Sequence, residues 1–133
     1  MADITNTGTF VSASAARANL GKYFKDEGKP QLGQDHPEHV FGHVFGLAKV
    51  KDLVAKIDQH NLSEPDVNKH IKGLRIYHSK TKTKKDVMIV PVTKDGKDHP
   101  DQIHGGSVPK KQSKTKPMIL TDSGPCPNVC PGT

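Results

Sequence analysis

The first apolar residues of the chain recur at helical spacing. Ala16, Leu20, Tyr23 and Phe24 fall at i, i+4, i+7 and i+8, which predicts a helix over about 12–26. Ser12 stands where its hydroxyl can accept a hydrogen bond from a first-turn amide, and Gly28 and Pro30 stop the run. A turn-rich stretch at 29–38 leads to a tandem pair, His39-Val40-Phe41-Gly42 and His43-Val44-Phe45-Gly46. Two copies of four residues are too short for a repeat architecture. Their alternation predicts a strand near 39–45, weakened by its glycines.

Leu47, Val50, Leu53, Val54 and Ile57 then form the strongest amphipathic pattern, a helix over about 47–60 with Asn61 placed to end it. Ser63-Glu64-Pro65-Asp66 reads as the start of a two-turn helix that buries Val67 and Ile71. The residues 73–78 alternate as a strand, with Leu74 and Ile76 expected inward. A lysine-rich connection follows, and residues 87–92 return as a second strand in which Pro91 marks an edge or a bulge. Asp95-Gly96 predicts a turn, residues 97–117 a long loop, and Met118-Ile119-Leu120 a last short strand. The prolines of the tail withhold amide donors, which excludes a helix or a central strand there. The pattern as a whole predicts an α+β fold, with two or three short helices packed on a small antiparallel sheet containing a hairpin. It assigns residues 1–122 to a single domain with a basic loop at 97–117, and 123–133 to a Pro/Cys-rich tail.

Composition makes this picture thinner. Apolar residues are 32% of the chain and tryptophan is absent, whereas globular domains draw on close to half. A small core of this kind gains from burial supplied by a partner or a second copy. Charge is uneven: residues 72–116 carry 12 basic and 4 acidic groups, while residues 1–71 carry 8 and 9. No apolar run approaches the roughly 20 residues that span a bilayer, so membrane insertion is not expected. The first residues have neither the basic start nor the apolar stretch of a secretory signal, which makes the cytoplasm the expected compartment and export by another route the alternative.

The chain resembles a group of small uncharacterised proteins from Bacteroidetes bacteria. The resemblance rests on Gly73-Leu74-Arg75-Ile76-Tyr77, the strand at 87–92, Asp95-Gly96-Lys97-Asp98, and Pro125-Cys126-Pro127-Asn128-Val129-Cys130. It implies the helix, strand, helix and hairpin order read above. The lysines of 80–85 and the 99–117 loop depart from the pattern, and the resemblance brings no activity with it.

Three groups of residues carry candidate chemistry. Cys126 and Cys130, with three residues between them, have the spacing of a thiolate pair that binds zinc or cycles to a disulfide. They lack a second pair, and the competing reading is a tail that packs on the body or on another chain. His36, His39 and His43 lie within eight residues, but on a strand His39 and His43 would stand roughly 13 Å apart, too far for one ion. Lys80, Lys82, Lys84 and Lys85 at the hairpin tip, with Lys110, Lys111, Lys114 and Lys116, are the third. Clustered cations bind nucleic acid by releasing its counterions, yet few aromatics interleave for stacking, and such loops commonly serve as a solvated surface.

No nucleophile elbow, phosphate-cradling glycine loop or paired zinc histidines occur, and no cofactor is called for. The expected function is therefore that of a non-enzymatic structural or interaction protein that assembles with itself or with another protein. Val87, Ile89, Val90 and Val92 are the expected edge strand of that assembly, and Pro125, Cys126, Pro127 and Cys130 its tail contacts. Nucleic-acid binding through the lysines and a Cys/His metal or redox site are the alternatives.

Overall fold

The computed structural model describes residues 3–26, 42–99 and 117–126. The fold is α+β: helices with a two-stranded antiparallel hairpin sheet and a second, shorter strand pair. The chain divides into two compact units, one formed by residues 1–6 and 45–123, the other by 7–44 and 124–133.

The second unit contains the helix α1 (Ala13–Asp26), capped as the sequence predicts: the Ser12 hydroxyl accepts from the Ala15 amide at 3.1 Å. Lys22 and Asp26 pair along its surface at 2.7 Å. None of its residues is buried. The strand β1 (Gly42–Val44) pairs antiparallel with β4 (Gly124–Cys126), setting Gly42 against Cys126 and His43 against Pro125.

The first unit is built on α2 (Leu47–Ser63), β2 (Ile71–Lys80) and β3 (Lys85–Thr93). The helix runs past the predicted end because Asn61 points inward rather than capping it. The Asn61 carboxamide donates to the Ile71 carbonyl at 3.0 Å and accepts from the Ile71 amide at 2.8 Å. Pro65 then forbids continuation, and the predicted two-turn helix is only a 3₁₀ turn, Val67–Lys69, capped by Asp66. Val67 is exposed, while Ile71 joins the core. That core is Leu53, Ile71, Ile89 and Met118, with Phe45, Ile57 and Leu120 against it; Leu47 and Val54 of the predicted apolar face lie outside.

The faces of β2 are the reverse of the expectation. Leu74 and Ile76 are 45% and 65% exposed, and Gly73, Arg75, Tyr77 and Ser79 form the more covered side. A bulge between Ile71 and Gly73 is the reason that Ile71 still reaches the helix side of the sheet. Gly73 leaves room for the Ile4 side chain, whose methyl a β-carbon there would meet at 2.5 Å.

The second correction concerns Val87, Ile89, Val90 and Val92, all buried, with Val90 wholly so. β3 is no edge: on the side away from β2, Ile89 exchanges amide–carbonyl bonds with Leu120 at 2.7 and 3.0 Å, and Pro91 accepts from His99 at 3.0 Å. Pro91 has no donor to offer on that flank, and His99 asks only for its carbonyl. Met118-Ile119-Leu120 contributes this one bridge rather than a strand.

A buried carboxylate clasps the returning segment. Asp86 Oδ1 accepts from the Val87 amide at 2.8 Å, the Ser123 amide at 3.0 Å and the Ser123 hydroxyl, and Oδ2 accepts from the Asp122 amide at 3.1 Å. Lys84 donates to Asp122 at 2.5 Å and to the Ser123 carbonyl at 2.8 Å. Burial alone would raise the Asp86 pKa. The Ser123 hydroxyl, the two amides and Lys84 outweigh it and hold the group well below the usual carboxylate range.

Asp86→Ala should cost about 2–3 kcal/mol at neutral pH, because it leaves buried donors without an acceptor. Since the folded pKa is depressed, the clasp is complete above the unfolded value near 3.8 and is lost as pH falls below it. Denaturant titrations should therefore show the gap between wild type and Asp86→Asn closing below about pH 4. A gap independent of pH would contradict the clasp.

Candidate functional site

β3 bonds outward through Ile89, Pro91 and Thr93, the last donating to the Lys97 carbonyl at 2.9 Å. In an antiparallel ladder the groups alternate, so Val90, Met88 and Asp86 are the residues that bond to β2. Their partners are Arg75, Tyr77 and Ser79. Leu74, Ile76 and His78, opposite Pro91, Ile89 and Val87, accordingly turn their amides and carbonyls away from β3. No strand lies on that flank among the described residues. Asn61 occupies its first position, at Ile71, with the two-bond geometry of a neighbouring peptide.

The same residues present the exposed side chains. Leu74, Ile76, His78 and Lys80 are exposed and stand in a row, two apolar groups followed by two basic ones, and the exposed Lys72 of the bulge precedes them. An open backbone edge and an apolar pair thus coincide on one strand. Sequence reading found the strand and missed the edge, since alternation reveals two sets of side chains without saying which is covered.

The opposite side of β2 is closed by a polar cluster that no local motif announces. Asp98, its side chain fully buried, accepts from Arg75 at 2.9 Å and from the Tyr77 hydroxyl at 2.7 Å. Arg75 also donates to the Gly96 carbonyl at 2.7 Å, which Gly96 can present because it adopts a φ of 84°. The Tyr77 hydroxyl and Asp98 raise the Arg75 pKa, against the opposing effect of its desolvation. Among the described residues, no buried side-chain nitrogen or oxygen lacks a partner, so these groups hold the fold together.

The other candidates are dispersed. Of the tip lysines, Lys84 is committed to Asp122 and Ser123, while Lys80, Lys82 and Lys85 are exposed. Lys110, Lys111, Lys114 and Lys116 lie outside the described residues, as do His36, His39, Pro127 and Cys130. Cys126 belongs to β4, and His43 to β1. Sequence reading passed over the contact of His60 with His99, ring centres 4.5 Å apart. His60 Nε2 lies 3.3 Å from the Lys69 carbonyl, which ties this contact to the chain leaving α2. Among the described residues no three histidines, cysteines or carboxylates converge to hold a metal, and no helix is long and apolar enough to cross a membrane.

Comparison with protein-family models, with curated proteins and with solved structures gives no match in any of the three.

Asp98→Ala should destabilise the protein by about 2 kcal/mol and Tyr77→Phe by about 1 kcal/mol. Both act on one cluster, so the double variant should lose less than the two together. Full additivity in denaturant unfolding would contradict a shared network.

Proposed function

We propose that this chain is a non-enzymatic structural or interaction protein, acting through surfaces that its own fold leaves uncovered. The observation that supports this reading most is the coincidence on β2 of unpaired backbone with the exposed Leu74 and Ile76. Such an edge adds a strand from another chain when one is offered.

α1 adds to the case. Leu20 and Tyr23 of its apolar face are 42% and 51% exposed, and Phe10 and Val11 just before it are exposed as well. A 14-residue helix with nothing buried draws little stability from its own fold and gains from a partner that covers this face. Pairing with further copies of the chain and pairing with a different protein both fall within the proposal. Nucleic-acid binding through the hairpin tip is the weaker reading, because Lys84 is already neutralised by Asp122.

The test is site-specific photo-crosslinking from Ile76, from Tyr23 and from Gln59, an exposed polar position on α2. Discrete protein adducts from the first two and none from Gln59 are expected. Light scattering of the same preparation then separates multiples of 14.5 kDa from a mixed complex. Adducts from none of the three positions, or equally from all, would overturn the reading.

A further inference from the structure

The chemistry of the open edge narrows its occupant. β2 contains Lys72, Arg75, His78 and Lys80 and no carboxylate. Leu74 and Ile76 form a short apolar platform on one face, with His78 and Lys80 beyond one end and the exposed Lys72, at the bulge, beyond the other. Beyond Lys80 the exposed Lys82 continues the positive charge. Asp3 lies in the field of Lys72, together with Lys94, whereas no carboxylate among the described residues pairs with Lys80.

A second copy fits this edge badly. In the antiparallel register that overlays Leu74 of one copy on Ile76 of the other, Lys72 lies opposite His78 at both ends, with no carboxylate to pair with it. In the register centred on Ile76, Lys72 faces Lys80 twice. Like charges directly opposite on a sheet are destabilising, and lysines on an edge are a known guard against self-pairing. A strand with carboxylates at those positions meets no such penalty.

We infer that the β2 edge binds an extended acidic peptide segment, added antiparallel as a third strand beside β2. Two apolar side chains of the ligand, at alternate positions, cover Leu74 and Ile76. An aspartate or glutamate four residues before the first of them faces Lys80, and a further carboxylate two residues after the second lies at the Lys72 end. The amides and carbonyls of Leu74, Ile76 and His78 supply the main-chain bonds. Asn61, already bonded at Ile71, stops the added strand at that end. The inference rests on the proposed interaction role and specifies the partner for one of its surfaces.

The experiment measures fluorescence anisotropy of the labelled peptide Glu-Thr-Thr-Thr-Val-Thr-Ile-Thr-Glu against the full chain. A twin with lysine at both ends, and a third peptide with its valine amide N-methylated, complete the set. The acidic peptide should bind saturably, and the lysine twin roughly fivefold more weakly, the worth of two exposed ion pairs. The N-methylated peptide, lacking the main-chain donor opposite Ile76, should bind about tenfold more weakly.

On the protein, Ile76→Pro removes an amide that faces away from β3 and should cost a similar factor, while circular dichroism and melting stay near wild type. Lys80→Glu, an exposed change that leaves the ladder intact, should weaken the acidic peptide and strengthen the lysine twin. Equal binding of acidic and lysine peptides, or binding unaffected by the N-methyl group, would overturn the inference. So would absence of binding, or a dimer in light scattering that Ile76→Pro abolishes, which would assign the edge to a second copy. Persistence of the Ile76 crosslink in any of those cases would leave the broader interaction role standing, so the two failures are distinguishable.

Discussion

The first unit depends on the enclosure of β3. A protein with so few apolar residues cannot build a thick core, and this one concentrates them along one strand that is covered on both faces and both edges. Val90 and Pro91 are the largest fully buried side chains among the described residues. Enclosure requires the chain to return to β3 from far along the sequence, and Asp86 is the group that secures the return. Its carboxylate satisfies backbone and hydroxyl donors of residues 121–123, at the point where Asp122 adopts a left-handed φ of 64°. The bonds to Leu120 and His99 then saturate the flank of β3 that faces away from β2.

Enclosing β3 leaves β2 on the outside. α2 offers only a narrow stripe, Leu53 and Ile57, to the core, and that stripe reaches Ile71 and Ile89 without covering Leu74 and Ile76. The polar side of β2 is closed differently, by Asp98 beneath Arg75 and Tyr77 and by Ile4 over Gly73. The asymmetry leaves β2 held by one neighbour and, among the described residues, without a strand on its other flank. The proposed interaction role uses that flank, whose lysines discourage indiscriminate pairing and, by the same charge, favour an acidic strand.

How much of this was legible depended on whether the signal was local. Helical spacing marked α1 and α2, Ser12 marked a cap, and Asp95-Gly96 marked the turn that the structure shows, because each is decided within a few residues. The direction of β2 was not local. Alternation distinguishes Leu74 and Ile76 from Arg75 and Tyr77, but the covered set is chosen by Asp98 and by a bulge at residue 72. Pro91 was read as a sign of an edge because proline cannot donate. The structure meets that constraint by pairing Pro91 through its carbonyl alone. The pairs Asp86–Ser123 and His60–His99 join residues roughly 40 apart, which no motif spacing encodes.

The central claim is that, among the described residues, β2 and not β3 is the open edge of the sheet. Amide hydrogen exchange, read residue by residue by nuclear magnetic resonance, tests it most directly. The account predicts alternation along β2: rapid exchange at Leu74, Ile76 and His78, and strong protection at Arg75, Tyr77 and Ser79. Every amide from Val87 to Val90 should be protected. Protection of Leu74, Ile76 and His78 equal to that of their neighbours, or rapid exchange at Ile89, would contradict it.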